Sequence, residues 1–135
     1  MGHSDYVRCC KISKKNTHVI SGSDDGSIRL WDLQSGECIQ IFFGHNSWIM
    51  CLDVKKDKII SGSKDHTVRL WDMNTGHNLH TFCHFRTISC ISFISINRVI
   101  WGTSSKRFHL WDLDSKEKVG EFCDGKKFFT NPTVG

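Results

Sequence analysis

SGSDDGSIRLWD, Ser21–Asp32, returns as SGSKDHTVRLWD at Ser61–Asp72 and, altered, as WGTSSKRFHLWD at Trp101–Asp112. The Trp-Asp pairs stand at 31/32, 71/72 and 111/112, a period of 40 residues in a chain of 135. Self-similarity at that period marks an array of equivalent supersecondary units, each too small to bury its apolar face alone. Function is therefore expected on a repeated surface and not in a single cleft.

Working outward from each Trp-Asp, every unit reads as four short strands. In the first they run Val7–Ile12, His18–Ser23, Ser27–Asp32 and Glu37–Phe43; in the second Ile49–Val54, Lys58–Ser63, Thr67–Asp72 and Asn78–Phe82. In the third they run Ile88–Phe93, Arg98–Thr103, Arg107–Asp112 and Glu117–Phe122. The runs are rich in β-branched and aromatic residues and bounded by turn formers. Asp25-Gly26 and Asp65-His66 fall where a tight turn must join the second strand to the third, and Ser35-Gly36 and Thr75-Gly76 punctuate the next turn. No helical period persists, so the fold class is all-β.

Gly2-His3 and Gly44-His45 precede the first two units as Gly-His pairs, and Cys83-His84 keeps the His. Together with the Trp-Asp ends, these residues resemble the WD-repeat family over nearly the whole chain. The resemblance implies β-propeller blades, four-stranded antiparallel units set radially round a channel. The units become blade one at 1–43, blade two at 44–83, a degenerate blade three at 84–123, and a C-terminal tail at 124–135. Three blades make a partial propeller. The chain is then a piece of a longer ring, a short chain that self-associates to complete one, or an open arc.

The resemblance also implies a buried polar chain within each blade: His3, Ser21, Asp25 and Trp31 in the first, His45, Ser61, Asp65 and Trp71 in the second. An indole N–H only donates, so it needs the Ser oxygen; the hydroxyl then donates to His, and the His N–H to Asp. Ser, His and Asp also imitate a catalytic triad, but here the indole occupies the hydroxyl. Blade three keeps His84 and Trp111, places Trp101 at the Ser position and Ser105 at the Asp position, and has Lys116 for the turn glycine. Its polar chain is expected to be broken and the blade to be the least rigid.

Family partners meet the narrow face, where the inter-blade connections and the turns between second and third strands lie. The residues of this chain at such places are Tyr6, Trp48 and Arg86 before the inner strands, Arg8 and Met50 just inside them, and Asp24 and Lys64 at the turns. Trp, Tyr and Arg are the types most enriched among binding hot spots. The repeats are most similar to those of F-box/WD-repeat proteins, substrate receptors of cullin-type ubiquitin ligases. The expectation is a non-enzymatic scaffold binding protein or peptide, with a ubiquitin-ligase receptor or a functionless remnant as alternatives.

Composition excludes less than the repeat implies. The net charge of +4 spreads over 18 basic and 14 acidic residues. Lys14-Lys15, Lys55-Lys56 and Lys126-Lys127 are isolated pairs assigned to connections, so no nucleic-acid footprint is expected. No run reaches the length of a membrane helix, and a cytoplasmic or nuclear location is expected. Seven cysteines contain no CxxC pair, and Cys9, Cys51 and Cys90 recur at one strand position, which argues for small buried hydrophobes. No metal and no cofactor are expected.

Overall fold

The structure, a computed structural model, describes residues 2–105, 107–123 and 126–128. Strands β1 (Val7–Ile12), β2 (His18–Ser23), β3 (Ile28–Asp32) and β4 (Cys38–Phe42) form one sheet in chain order. A second sheet takes β5 (Ile49–Lys55), β6 (Lys58–Ser63), β7 (Thr67–Asp72) and β8 (Asn78–Cys83). The third takes β9 (Ile88–Ser95), β10 (Arg98–Thr103), β11 (Arg107–Asp112), β12 (Glu117–Cys123) and β13 (Lys126–Phe128). All pairings are antiparallel. The three sheets are propeller blades forming an arc, with β1, β5 and β9 side by side along its inner edge.

Several bounds depart from the sequence reading by a residue: β3 begins at Ile28, β4 is Cys38–Phe42, β8 and β12 reach Cys83 and Cys123, and β5 reaches Lys55, a residue expected in a connection. Strand β9 continues to Ser95, past the expected end at Phe93. The stretch taken as a tail contributes β13, which pairs with β12 and puts Lys126-Lys127 in a strand, not a connection. The remainder of that tail lies outside the described residues.

Apolar side chains meet between blades. Ile20, Ile28, Leu30 and Phe42 of blade one pack with Ile49, Leu52, Ile59 and Trp71 of blade two. Cys51, Ile60, Val68 and Phe82 of blade two repeat the arrangement against Ile88, Phe93, Val99 and Trp101 of blade three. Each sheet thus uses one face for the blade before it and one for the blade after it, as period-two alternation allows. A register shift between Leu and Trp recurs in all three blades, at 30/31, 70/71 and 110/111, and turns each Trp within the third-to-fourth strand pair.

The glycine of each Ser-Gly-Ser explains how closely blades approach. A Cβ on Gly22 would lie 2.5 Å from Ile49 Cγ2, and one on Gly62 would lie 2.3 Å from Ile88 Cγ2. The next blade's inner strand therefore rests on bare backbone. Over Gly102 the nearest atoms belong to Cys90 and Phe108 of its own blade. The same asymmetry corrects the reading of the repeated cysteines. Cys51 is buried and Cys9 half-buried, but Cys90 is exposed, because nothing covers the outer face of blade three among the described residues.

Candidate functional site

In blades one and two the polar chain runs through one end of the sheet. The Trp31 indole donates to Ser21 Oγ at 2.8 Å, the Ser21 hydroxyl donates to His3 Nε2 at 2.6 Å, and His3 Nδ1 donates to Asp25 Oδ2 at 2.9 Å. Blade two repeats this through Trp71, Ser61, His45 and Asp65 at 2.8, 2.7 and 2.9 Å. Both serines are buried and each hydroxyl oxygen accepts an indole N–H, so neither is presented to a substrate.

Each Asp also collects donors that sequence reasoning missed. Asp25 accepts from the Ser27 hydroxyl and N–H and from the Ser4 N–H; Asp65 accepts from the Thr67 hydroxyl and N–H and from the Asn46 N–H. Ser23 and Ser63 cap the same turns by accepting the Asp25 and Asp65 N–H. The repetition of Ser-or-Thr two residues after each Asp was the signal. Burial by itself would raise the Asp25 carboxyl, but the bonds from Ser27, His3 and Ser4 outweigh it and hold it well below the usual carboxylate range. Asp65 is depressed likewise, its burial overcome by bonds from His45, Thr67 and Asn46. Burial lowers His45, against the opposing pull of Asp65.

Blade three solves the loss of Ser differently. Trp101 is fully buried and donates its indole N–H directly to His84 Nε2 at 2.8 Å. Trp111, deprived of its Ser acceptor, stacks on Trp101 with centroids 5.3 Å apart, and its buried Nε1 has no hydrogen-bond partner among the described residues. Ser105 is too short to reach as an aspartate does; its Oγ meets Thr103 Oγ1 at 2.8 Å and accepts the Arg107 N–H at 3.3 Å.

The residues expected to meet a partner lie around the same end of the blades. One backbone bond latches each turn to the segment before the inner strand: Asp24 N–H to Tyr6 O, Lys64 N–H to Trp48 O, and Ser104 N–H to Thr87 O. Thr87 is thus the equivalent of Tyr6 and Trp48, and Arg86 stands one residue earlier. Arg8, Trp48 and Lys64 come together, with the Arg8 guanidinium and the Lys64 ammonium each 4.0 Å from the Trp48 ring centroid. Both distances suit cation–π attraction. Asp24 does not face outward: it pairs with Arg8, and only 4% of its side chain is exposed. Met50 is half-buried against the core between blades two and three. Tyr6 and Arg86 are exposed, Tyr6 at 78%.

The comparisons with known proteins agree with this geometry. The family model described as "WD domain, G-beta repeat" matches residues 1–32 and 36–72. The chain is 47% identical over 57 residues to F-box/WD repeat-containing protein 10 of Mus musculus, across 42% of this chain and 6% of that protein. It is 46% identical over 44 residues to the probable E3 ubiquitin ligase complex SCF subunit sconB of Talaromyces stipitatus, across 33% of this chain and 7% of that one. The match therefore spans a small fraction of these relatives' length. The solved structure of U3-55K superposes with a TM-score of 0.85 at 19% identity, covering 91% of this chain and 41% of that one, a likeness of fold. With the repeat motif, the blade architecture and the family match in agreement, the chain belongs to the WD-repeat family.

Proposed function

We propose that the turn end of the blades binds a protein or peptide partner, and that the chain is a non-enzymatic scaffold of a reducing compartment. The observation that supports this reading best is the Arg8–Trp48–Lys64 cluster. A half-buried indole between the Asp24-paired Arg8 and Lys64 offers a large rigid contact, and the exposed Lys64 ammonium an attraction for acidic side chains. Arg and Trp so placed are the residues that dominate binding energy when a partner excludes water around them. The polar chains beneath hold the turns in place, which pre-organises the surface and lowers the ordering cost of association.

Proximity labelling from the chain in cells tests the reading. Trp48→Ala combined with Lys64→Glu should remove a set of labelled proteins that Lys15→Glu, at the opposite end of blade one, retains. Equal loss with Lys15→Glu, or no loss with the double variant, would reject the turn end as the partner face.

A narrower reading, substrate recognition for a cullin-type ubiquitin ligase, is supported by the identity to F-box/WD repeat-containing and SCF proteins. On that reading the labelled partners turn over faster when the chain is expressed. Unchanged half-lives under proteasome-competent conditions would leave the scaffold and discard the receptor.

A further inference from the structure

Blade three retains the surroundings of a carboxylate that its own sequence no longer provides. In the intact blades the Asp oxygens are met by His Nδ1, by the N–H of the residue after that His, and by the hydroxyl and N–H two residues beyond the Asp. The corresponding groups of blade three are His84 Nδ1, the Phe85 N–H, and Arg107 in place of Ser27 and Thr67. Ser105 sits where the carboxylate belongs, on a turn with the same Thr103-capped geometry, and its side chain is shorter. What remains is a cleft of about 360 Å³ bordered by His84, Phe85, Arg86, Ser105, Arg107 and His109.

The chemistry of that cleft favours an anion. Because His84 Nε2 accepts the Trp101 indole N–H, neutral His84 must carry its proton on Nδ1. That proton is the one His3 and His45 give to an aspartate, and no group among the described residues accepts it here. His109 is largely buried, and its Nδ1 lies 3.5 Å from Glu121 Oε1 without making a hydrogen bond among the described residues. Arg86 is exposed and has no ion pair among the described residues. Glu121, a carboxylate beside the cleft, already meets Arg107 at 3.2 Å, Lys118, and His109 Nδ1 at 3.5 Å. Among the described residues, the positive charge of Arg86 and the His84 Nδ1–H therefore exceed the acceptors present.

We propose that this cleft binds a carboxylate brought from outside the blade, the side chain of an aspartate or glutamate on the bound partner, in the place that Asp25 and Asp65 fill in the intact blades. The proposal rests on the turn end being the partner face. It adds that the degenerate blade is the specificity element: the intact blades satisfy their imidazoles internally, and only this one offers an N–H to a ligand. A planar carboxylate fits two divergent donors and a guanidinium at once, as bidentate pairs do.

Acetate is the probe, which makes the test independent of any partner. In the full chain with 13C-labelled histidine, acetate should shift the ring resonances of His84 and His109 saturably and leave those of His3 and His45 in place. Ser105→Asp supplies the carboxylate internally, so it should abolish the acetate response and raise the thermal midpoint. Arg86→Glu, at an exposed position, should weaken acetate binding without changing that midpoint. No saturable shift with acetate, an undiminished response in Ser105→Asp, or a response to inorganic phosphate but not to acetate would each overturn the proposal. Such a failure leaves the Trp48 surface standing, whereas failure of the Trp48 labelling experiment leaves the acetate result intact.

Discussion

At the scale of the residue, Trp31, Trp71 and Trp111 share one sequence position and have three environments. Trp71 is 1% exposed and donates to Ser61; Trp31 makes the same bond and is half-buried; Trp111 has no acceptor among the described residues. Trp71→Phe keeps apolar bulk but leaves Ser61 without its donor, which should cost about 2 kcal/mol, the scale of an unsatisfied buried polar group. Trp31→Phe should cost less, because water reaches that side of blade one. Trp111→Phe removes an N–H that is already unpaired and should cost under about 1 kcal/mol. Urea melts giving Trp111→Phe the largest loss of the three would contradict the assigned bonding.

The buried ionisable groups fix the response to acid. His45, His84 and His109 are held below the ordinary imidazole value of 6.5 by burial first, His109 at about 4 with help from Lys118, His84 and Arg107. A group depressed on folding contributes stability that is present above its unfolded value and lost as pH falls through it. The urea midpoint should therefore decline as pH drops from 6.5 towards 4. A second decline should follow below 3.8, where Asp25 and Asp65 take up protons in the unfolded chain while their depressed carboxyls stay ionised in the folded one. His109→Gln should remove part of the first decline and none of the second. A midpoint that climbs between pH 6.5 and 4 would reverse the sign of the argument.

At the scale of the element, the Ser-Gly-Ser strands show how one blade constrains the next. Gly62→Ala would place a methyl 2.3 Å from Ile88 Cγ2, on a residue that is itself fully buried, so the blade two/three contact must open. Gly102→Ala meets Cys90 Sγ at 2.8 Å and Phe108, both on a face that nothing among the described residues covers, so they have room to yield. Overpacking of a closed core costs on the order of 1–3 kcal/mol. Gly62→Ala should fall at or above the top of that range and Gly102→Ala near the bottom, a difference that denaturant midpoints can resolve. Equal losses would mean that the two strands are packed alike.

At the scale of the whole molecule, the two ends of the arc are complementary surfaces. Val7 on blade one is 56% exposed, while its equivalents Ile49 and Ile88 are fully buried beneath the preceding blade. Phe108 on blade three is 47% exposed, while its equivalents Ile28 and Val68 are fully buried by the blade that follows. Covering such area stabilises by roughly 25 cal/mol per Å² before association costs. The 135-residue chain should therefore associate end to end, its melting temperature falling on dilution. Labelling of Cys10 and Cys90, exposed in the single chain, should slow as concentration rises, while Cys51 stays protected throughout. Light scattering at 15.5 kDa with concentration-independent melting would show instead that the open arc is stable by itself.

Legible along the chain were the repeat, the first four strands of each blade, the family and the members of the two intact polar chains, but not β13. These are local or periodic properties: the Trp-Asp spacing, the turn residues and the alternation of strands are written along the chain. Tertiary structure decided what depends on neighbours across blades. Cys9, Cys51 and Cys90 occupy one register and differ in exposure because only two of them have a blade beside them. Trp48 sits before β5, yet its two cations come from β1 and from the turn after β6, a convergence that no spacing encodes. Trp101 reads as the loss of a serine, and only packing shows that its indole reaches His84, fixes that ring's proton on Nδ1 and leaves a carboxylate's place open.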